Sequence, residues 1–209
     1  MIFVFKGFGS LTAAYILSIG NELLTGQTVD SNSAWLCGRL MEHSIAVEGV
    51  ELVGDDISRI SAGLRSACER ADIILTTGGL GPTADDLTRE AVADFLGVEL
   101  EYRDELGEQI EAFFKARGRE PASINRRQAY VPAGAEAIDN SMGTAPGFVC
   151  RFEGKLLASM PGVPGEMKRM FEEDVLGRLS SEFGGGLLAV GKLSCCGTGE
   201  SDIAAMLGD

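Results

Sequence analysis

Through most of its length the chain alternates between short apolar runs and longer amphipathic stretches. Residues 14–19 are apolar but for Ser18, as suits a strand covered on both faces. A helix is predicted over residues 33–42, capped by Asp30 or Ser31 and turning Ala34, Cys37, Gly38 and Met41 inward. Residues 45–53 alternate as a second strand. Behind Asp56, a residue suited to an N-cap, Ile57, Ile60, Leu64, Ala67 and Ala71 recur at helical spacing. Ile73, Ile74 and Leu75 make a third strand, and residues 87–96 a third helix. Strand and helix repeated in this order predict an α/β layered domain with a largely parallel sheet.

Further on, Leu106, Ile110, Phe113 and Phe114 mark an amphipathic helix ending at Gly118. Residues 148–152 and 155–160 are expected to pair about Glu153-Gly154. Pro164 suits the first position of another helix, with Met167, Met170 and Phe171 inward. The main domain is thus read over residues 13–183. Gly184-Gly185-Gly186 reads as a linker, residues 187–196 as a strand and 202–207 as a short helix. One strand and one helix cannot bury a core, so residues 184–209 are expected to be a linker and the start of an incomplete second α+β domain. Residues 1–12 are apolar but interrupted by Lys6 and two glycines, and lack the order of a signal peptide. They read as an N-terminal extension, an extra strand, or the product of a misplaced start codon.

In open parallel sheets ligands bind beyond the carboxyl ends of the strands. Thr77-Gly78-Gly79-Leu80-Gly81-Pro82-Thr83 links the third strand to its helix, an arrangement that offers backbone N–H groups to a phosphate. Asp85 and Asp86 would repel a bare phosphate but suit a divalent cation with oxygen ligands. The same residues have a purely structural reading, because Thr83-x-x-Asp86 has the spacing of a capping box. Glu22, Asp30, Asp55, Asp85 and Asp86 lie on loops at three strand ends and are expected to reach one crevice. Asn125-Arg126-Arg127-Gln128-Ala129 is either a solvated helix or a basic patch in which Arg126 compensates phosphate charge. Pro161-Gly162-Val163-Pro164-Gly165, with Lys168 nearby, is either a capped helix start or a second phosphate cradle.

Charge and composition narrow the picture. Eighteen basic against 31 acidic residues give −13. That argues against nonspecific nucleic-acid or anionic-membrane binding, and makes an anionic ligand dependent on a metal ion or a local basic patch. The five cysteines, Cys37, Cys68, Cys150, Cys195 and Cys196, include no C-x-x-C pair, so reduced thiols and a cytoplasmic setting are expected. A single histidine, His43, leaves almost no material for Ser-His-Asp chemistry. No run of about 18 apolar residues exists that could span a membrane.

The motifs taken together resemble a known family. Gly20-Asn-Glu-Leu-Leu-Thr-Gly26 with Asp30-Ser-Asn32, Gly54-Asp-Asp56, Thr77 to Thr83 with Asp85-Asp-Leu-Thr88, Asn125 to Ala129, Gly143-Thr-Ala-Pro-Gly147 and Pro161-Gly-Val-Pro-Gly-Glu-Met167 occur in the order expected for the N-terminal domain of CinA (competence/damage-inducible) proteins, within the wider molybdopterin-binding superfamily. Gly197-Thr-Gly-Glu-Ser-Asp202 resembles the start of the middle domain of those proteins. The resemblance implies a three-layer α/β/α sandwich with a mostly parallel sheet and one antiparallel strand. It also implies metal-dependent ADP-ribose pyrophosphatase activity, yielding AMP and ribose 5-phosphate. The alternatives are a pterin-phosphate (molybdopterin) binding module or adenylyltransferase of molybdenum cofactor biosynthesis, and a non-catalytic oligomeric scaffold. Leu80 in place of Thr, and Asp85-Asp86 in place of Arg-Asp, favour the CinA branch. The amidase domain that follows in many CinA proteins is not expected here.

On this reading Asp86, with Asp55 and Asp85, holds a divalent ion (Mg, or Co/Mn). Glu22 or Asp30 is the general base. Gly78, Gly79, Leu80, Gly81, Pro82 and Thr83 hold phosphate, with Asn32, Gly143, Pro161 and Gly162 as further ligand contacts. Lys168 and Arg126 balance the remaining charge. A homo-oligomer, first of all a dimer, is expected.

Overall fold

In the computed structural model of the chain, residues 2–5, 12–183 and 189–192 are described, with positions 197, 199, 202 and 205. The N-terminal segment contributes β1 (Ile2–Phe5). The domain opens with β2 (Ala13–Ile19), a single turn α1 (Asn21–Leu24), α2 (Ser31–Glu42), β3 (Ala46–Val53), α3 (Ile57–Cys68) and β4 (Ile73–Thr77). Then come α4 (Thr88–Leu96), β5 (Leu100–Tyr102), α5 (Asp104–Lys115), a 3-10 segment (Ser123–Ala129), β6 (Tyr130–Pro132), β7 (Glu136–Ile138), β8 (Gly147–Phe152) and β9 (Lys155–Met160). The helix α6 (Pro164–Met170) passes through a π turn (Phe171–Val175) into α7 (Leu176–Phe183), and β10 (Ala189–Lys192) ends the described chain elements.

Six strands form one sheet in the order β3-β2-β4-β9-β8-β7. β3, β2, β4 and β9 are mutually parallel, while β8 runs antiparallel to both of its neighbours. The central strand β4 is buried at all five positions, which explains its unbroken apolar run. On one face, Leu17, Ile19 and Ile74 pack with Ile60, Leu64, Val92 and Ile110 beneath α3, α4 and α5. On the other, Ile16, Ile73 and Leu75 pack with Leu36, Leu40, Met167 and Phe171 beneath α2 and the α6–α7 helix. The three-layer α/β/α architecture with one antiparallel strand is thus the fold of the chain.

One local expectation changes and one open reading is decided. The inward face of α2 is Asn32, Ser33, Leu36 and Leu40, rather than Ala34, Cys37, Gly38 and Met41. Both faces have helical spacing, and the one with two leucines removes more apolar area from water. Among the readings of the N-terminal segment, the extra strand is observed: Ile2–Phe5 pairs antiparallel with Ala189–Lys192, at the centre of the strand expected over 187–196. The Gly184–Gly186 linker and most of the helix expected over 202–207 lie outside the described residues.

The consequence for function is a shared edge. The carboxyl ends of β3, β2, β4 and β9 lie side by side and open into loops beginning at Gly54, Gly20, Gly78 and Pro161. Gly20 N–H donates to Val53 O (2.9 Å) and Gly78 N–H to Met160 O (3.0 Å), so the first residue of each of these two loops is fixed to the neighbouring strand.

Candidate functional site

A cleft of about 420 Å³ lies at that edge. Its walls include Glu22, Asp55, Gly78, Gly79, Leu80, Gly81, Pro82, Asp85 and Asp86, together with Gln128, Thr144, Pro161, Gly162 and Glu166. The glycine loop and the acidic loops therefore converge as their placement at strand ends predicted. A smaller pocket of about 90 Å³ adjoins it, with Ile19, Glu22 and Gly162 lining both, and holds Asp30 and Asn32.

The glycine loop is fixed mainly through its carbonyls. Thr88 Oγ1 donates to Gly78 O (2.7 Å) and Thr88 N–H to Gly79 O (3.1 Å). The Arg89 guanidinium, 1 % exposed, donates to Leu80 O (2.7 Å) and Gly81 O (2.6 Å). Burial pushes its pKa down to about 10, with Glu90 opposing. On the far side Arg127 holds Thr83 O and pairs with Glu90 (2.7 Å). With the carbonyls turned into the protein, the N–H groups of Gly79 and Leu80 have no partner among the described residues. Gly78 (φ +105°) and Gly79 (φ +65°) adopt left-handed conformations that side chains resist, and successive amides in such a turn form an anion-binding concavity. The Leu80 side chain is itself buried, so this residue can serve a ligand through its backbone alone.

Asp86 is already committed. Its Oδ1 accepts from Gly81 N–H and its Oδ2 from Thr83 N–H, both at 2.8 Å. Thr83 and Asp86 are paired as the capping-box spacing suggested, but inside the loop, since α4 starts two residues later. Gly81, Thr83 and Asp86 therefore brace the loop. Asp85 is held low by the Thr83 hydroxyl, with a smaller contribution from Arg127. Asp55 is pushed up by burial and by the negative charges of Glu22, Asp85 and Asp86, against the N–H of Asn21, which donates to it at 2.8 Å. Glu22 lies at the mouth of both pockets with its carboxylate against Gly20, where a Cβ would sit 2.4 Å from its Oε1.

The other expected ligands divide. Asp30 caps α2, its Oδ1 accepting from Ser33 N–H (3.0 Å), and lines the side pocket rather than the cleft. Gly143 faces a small cavity under α5, joined to the cleft through Thr144. Arg126 and Lys168 do not line the cleft: Arg126 stacks on Tyr102 (4.7 Å to the ring centre) and Lys168 lies over Trp35 (5.7 Å). In the 3-10 turn it is Arg127 that faces the glycine loop, and in α6 Lys168 falls on the side of α2. Among the described residues no Lys or Arg lines the cleft. Nor do any three Asp, Glu, His or Cys side chains stand close enough to cage a metal ion unaided. The oxygen-rich rim still fits a hard cation such as Mg²⁺, which commonly takes one or two carboxylates and completes its shell with water and phosphate.

Residues 15–181 match the family described as "Probable molybdopterin binding domain". The chain belongs to this family. Within the molybdopterin binding domain family it is 43% identical over 196 residues to a CinA-like protein of Thermomicrobium roseum, and 40% identical over 200 residues to one of Deinococcus radiodurans. Each alignment covers 94% of this chain but 48% and 49% of the relative, so the chain spans about half the length of the curated relatives it matches. The crystal structure of a CinA protein of unknown function from Thermoplasma acidophilum is 32% identical, with a TM-score of 0.72 over 84% of this chain and 99% of that one. That of the molybdopterin biosynthesis enzyme MoaB from Thermus thermophilus shares the fold (21%, TM-score 0.57, 84% of this chain and 99% of that one). No helix among the described residues is long and apolar enough to cross a membrane.

Several residues in or behind the cleft carry no sequence signal that marks them. Arg89 follows directly on the Asp85-Asp-Leu-Thr88 motif, yet looks like any arginine in a first helical turn. Gln128, 1 % exposed, sits beside the two arginines that drew attention to its segment. Glu166, whose Oε2 accepts from Asn140 Nδ2 (2.6 Å), was visible inside the Pro161–Met167 motif.

Proposed function

We propose that the cleft binds a phosphorylated small molecule together with a divalent cation, and hydrolyses a nucleotide diphosphate of the ADP-ribose type to AMP and ribose 5-phosphate. One observation carries this reading: two unpartnered loop N–H groups face a rim of carboxylates with no Lys or Arg on it. Such a rim repels a bare phosphate and suits a phosphate–metal complex. Asp55, with Asp85 or Glu22, would hold the ion. An ion held there would neutralise diphosphate charge and supply a Lewis acid. The N–H groups of Gly79 and Leu80 hold non-bridging oxygens and stabilise the charge that grows on them. Glu22, free at the mouth of the cleft, takes a proton from water as its oxygen bonds to phosphorus and the bridging P–O bond breaks. The second reading, binding of a pterin phosphate with or without adenylyl transfer, is supported by the family description and uses the same cradle. Residues 184–209 as the start of a further domain, and a homo-oligomeric cytoplasmic protein, belong to the same proposal.

Incubation with ADP-ribose and Mg²⁺ or Co²⁺ is expected to release AMP and ribose 5-phosphate in equal amounts. A rise in melting temperature without AMP release would leave the binding module, and no response to any phosphorylated ligand would leave the scaffold.

The Asp55 environment adds a pH dependence. Its carboxyl is raised in the fold, so the folded apo protein binds the proton more tightly than the unfolded chain, and this group's contribution to stability declines as pH rises through that window. A cation must displace that proton. Metal-dependent ligand affinity is therefore expected to fall up to about tenfold per pH unit below the raised value, with a midpoint above the ordinary aspartate value of about 3.9. Calorimetric titration at stepped pH checks this, and Asp55→Asn should remove the metal dependence.

A further inference from the structure

The two edges of the six-stranded sheet are finished differently. β7 is three residues long, and its Glu136 is held by both Arg151 and Arg178. Short strands and fixed charges of this kind keep an edge from pairing further. β3, at the other edge, is eight residues long, carries no Lys or Pro, and among the described residues pairs with β2 alone. Its ladder passes over Glu48 and is regular from Gly49 to Val53. Val53 O accepts from Gly20 N–H and so faces β2. Successive strand residues turn their backbone groups to alternate sides, so those of Leu52 point out of the sheet, ready to pair with another strand.

Apolar side chains stand uncovered around this edge. Val50 is 45 %, Leu52 41 % and Leu24 48 % exposed. Leu24 belongs to α1, which buries none of its residues although it carries Glu22 to the cleft. It stands beside Gly54, where a Cβ would lie 3.1 Å from Leu24 Cδ1. A groove of about 400 Å³ along the edge is lined by Leu24 and Leu52, and also by Glu51 and Arg59. Those two opposite charges share the groove, yet neither makes an ion pair among the described residues.

Such a surface complements itself across a two-fold axis, where residue i meets residue j and j meets i. With the axis at Leu52, antiparallel pairing sets Leu52 against the partner's Leu52, Val50 against the partner's Gly54 and Glu51 against the partner's Val53. Leu24, beside Gly54, then meets the partner's Val50, and the apolar side chains gather on one face of the joined sheets. Glu51 alternates to the other face, where it accepts from the Tyr15 hydroxyl (3.4 Å), and there it approaches the start of the partner's α3, which carries Arg59.

We propose that a second copy of this chain docks on the open edge of β3, joining the two six-stranded sheets into one, with Arg59 of each copy against Glu51 of the other. Docking gives α1, and with it Glu22, the packing that the turn lacks within one copy. This surface supplies the geometry of the proposed homo-oligomer and is independent of what the cleft binds.

Sedimentation velocity of the full chain across the micromolar range tests it. The wild type should sediment as a dimer. Leu52→Lys sets two ammonium groups against each other on the axis, and should sediment as a monomer with an unchanged circular dichroism spectrum. Arg59→Glu and Glu51→Arg each create like-charge contacts twice over, and should each weaken association at least about tenfold. The double variant restores opposite charges and should return to within about threefold of the wild type, a recovery that damage to the fold would not show. Ile124→Lys, at an exposed apolar residue outside this edge, should stay dimeric. A dimer that survives Leu52→Lys overturns this surface and leaves the homo-oligomer standing. A monomeric wild type overturns both and leaves the edge to some other occupant. Assembly beyond a dimer overturns the two-fold arrangement, and a double variant as weak as the single ones overturns the Arg59–Glu51 contact.

Discussion

Arg89→Met is expected to destabilise the protein by roughly 3–5 kcal/mol and to abolish measurable binding of phosphorylated ligands. Arg89 is almost fully buried, and its two bonds hold consecutive carbonyls of the glycine loop. Deleting them strands two acceptors, at about 1–3 kcal/mol each, and methionine fills the space without answering either. Relief of the buried charge offsets part of this, but a guanidinium with good acceptors recovers much of its desolvation on site. In a chain of this size the loss corresponds to a fall in melting temperature of about 10 °C. Arg89→Lys should recover less than half, because an ammonium cannot span two carbonyls as a planar fork does. Thermal melts with and without pyrophosphate and Mg²⁺ check both claims. An Arg89→Met variant that melts like the wild type would mean that the loop holds itself.

That arginine also marks the boundary of what sequence could reveal. The order of strands and helices, the strand ends on which the loops sit, and the caps at Asp30 and Asp56 followed from periodicity and local chemistry, which act over a few residues. The convergence of Glu22, Asp55, Asp85 and Asp86 followed from one topological rule, that parallel strands present their carboxyl ends to the same side. What escaped depends on direction rather than position. Arg126 and Arg127 are chain neighbours, and only the path of the 3-10 turn decides that the first stacks on Tyr102 while the second reaches Glu90 and the glycine loop. Lys168 is one turn into α6, close to the cleft in sequence but above Trp35 in space. Asp86 was read both as a metal ligand and as half of a capping box, and its hydrogen bonds match the Thr83 pairing of the second reading. Asn32 entered the candidate set through a motif alone, and the structure turns its amide onto Thr77 Oγ1 and Gly162 O.

The organisation of the site therefore has two levels. Carbonyls are tied inward by Thr88, Arg89 and Arg127, and this is what turns the intervening amides outward. The acidic rim lines the same cleft as those amides, and on the proposed reading it acts through a cation that accompanies the phosphate. Rigidity belongs to the first level and chemistry to the second, so substitutions should separate them. Asp55 variants should lose metal dependence at nearly constant stability, whereas loop variants should lose stability and binding together.

Gly78→Ala is the sharpest case of the latter. At φ +105° a side chain is strained before any contact is considered, costing about 1–2 kcal/mol. Its Cβ would also stand 2.1 Å from Ile19 O, the last carbonyl of β2. That neighbour is backbone within the sheet, so relief requires the carboxyl ends of β2 and β4 to part, at an overpacking cost of about 1–3 kcal/mol. The expected total is roughly 2–5 kcal/mol, with loss of pyrophosphate binding, because the displaced residue precedes the two free amides. Gly79→Ala meets the Thr88 hydroxyl at 2.3 Å, and relief breaks that hydroxyl's bond to Gly78 O without parting the sheet, so it should be milder in stability than Gly78→Ala while still weakening ligand. Gly97→Ala supplies the control: its φ is +68°, nothing lies within 4 Å of the added carbon, and it caps α4 at the end remote from the glycine loop. It should cost about 1 kcal/mol and leave binding untouched. Chemical denaturation and pyrophosphate titration of the three variants should rank Gly78, Gly79 and Gly97 in that order on both measures. If Gly97→Ala proved as damaging to binding as Gly78→Ala, general destabilisation would account for the loss, and the close approach of the loop to β2 would have no special part in holding phosphate.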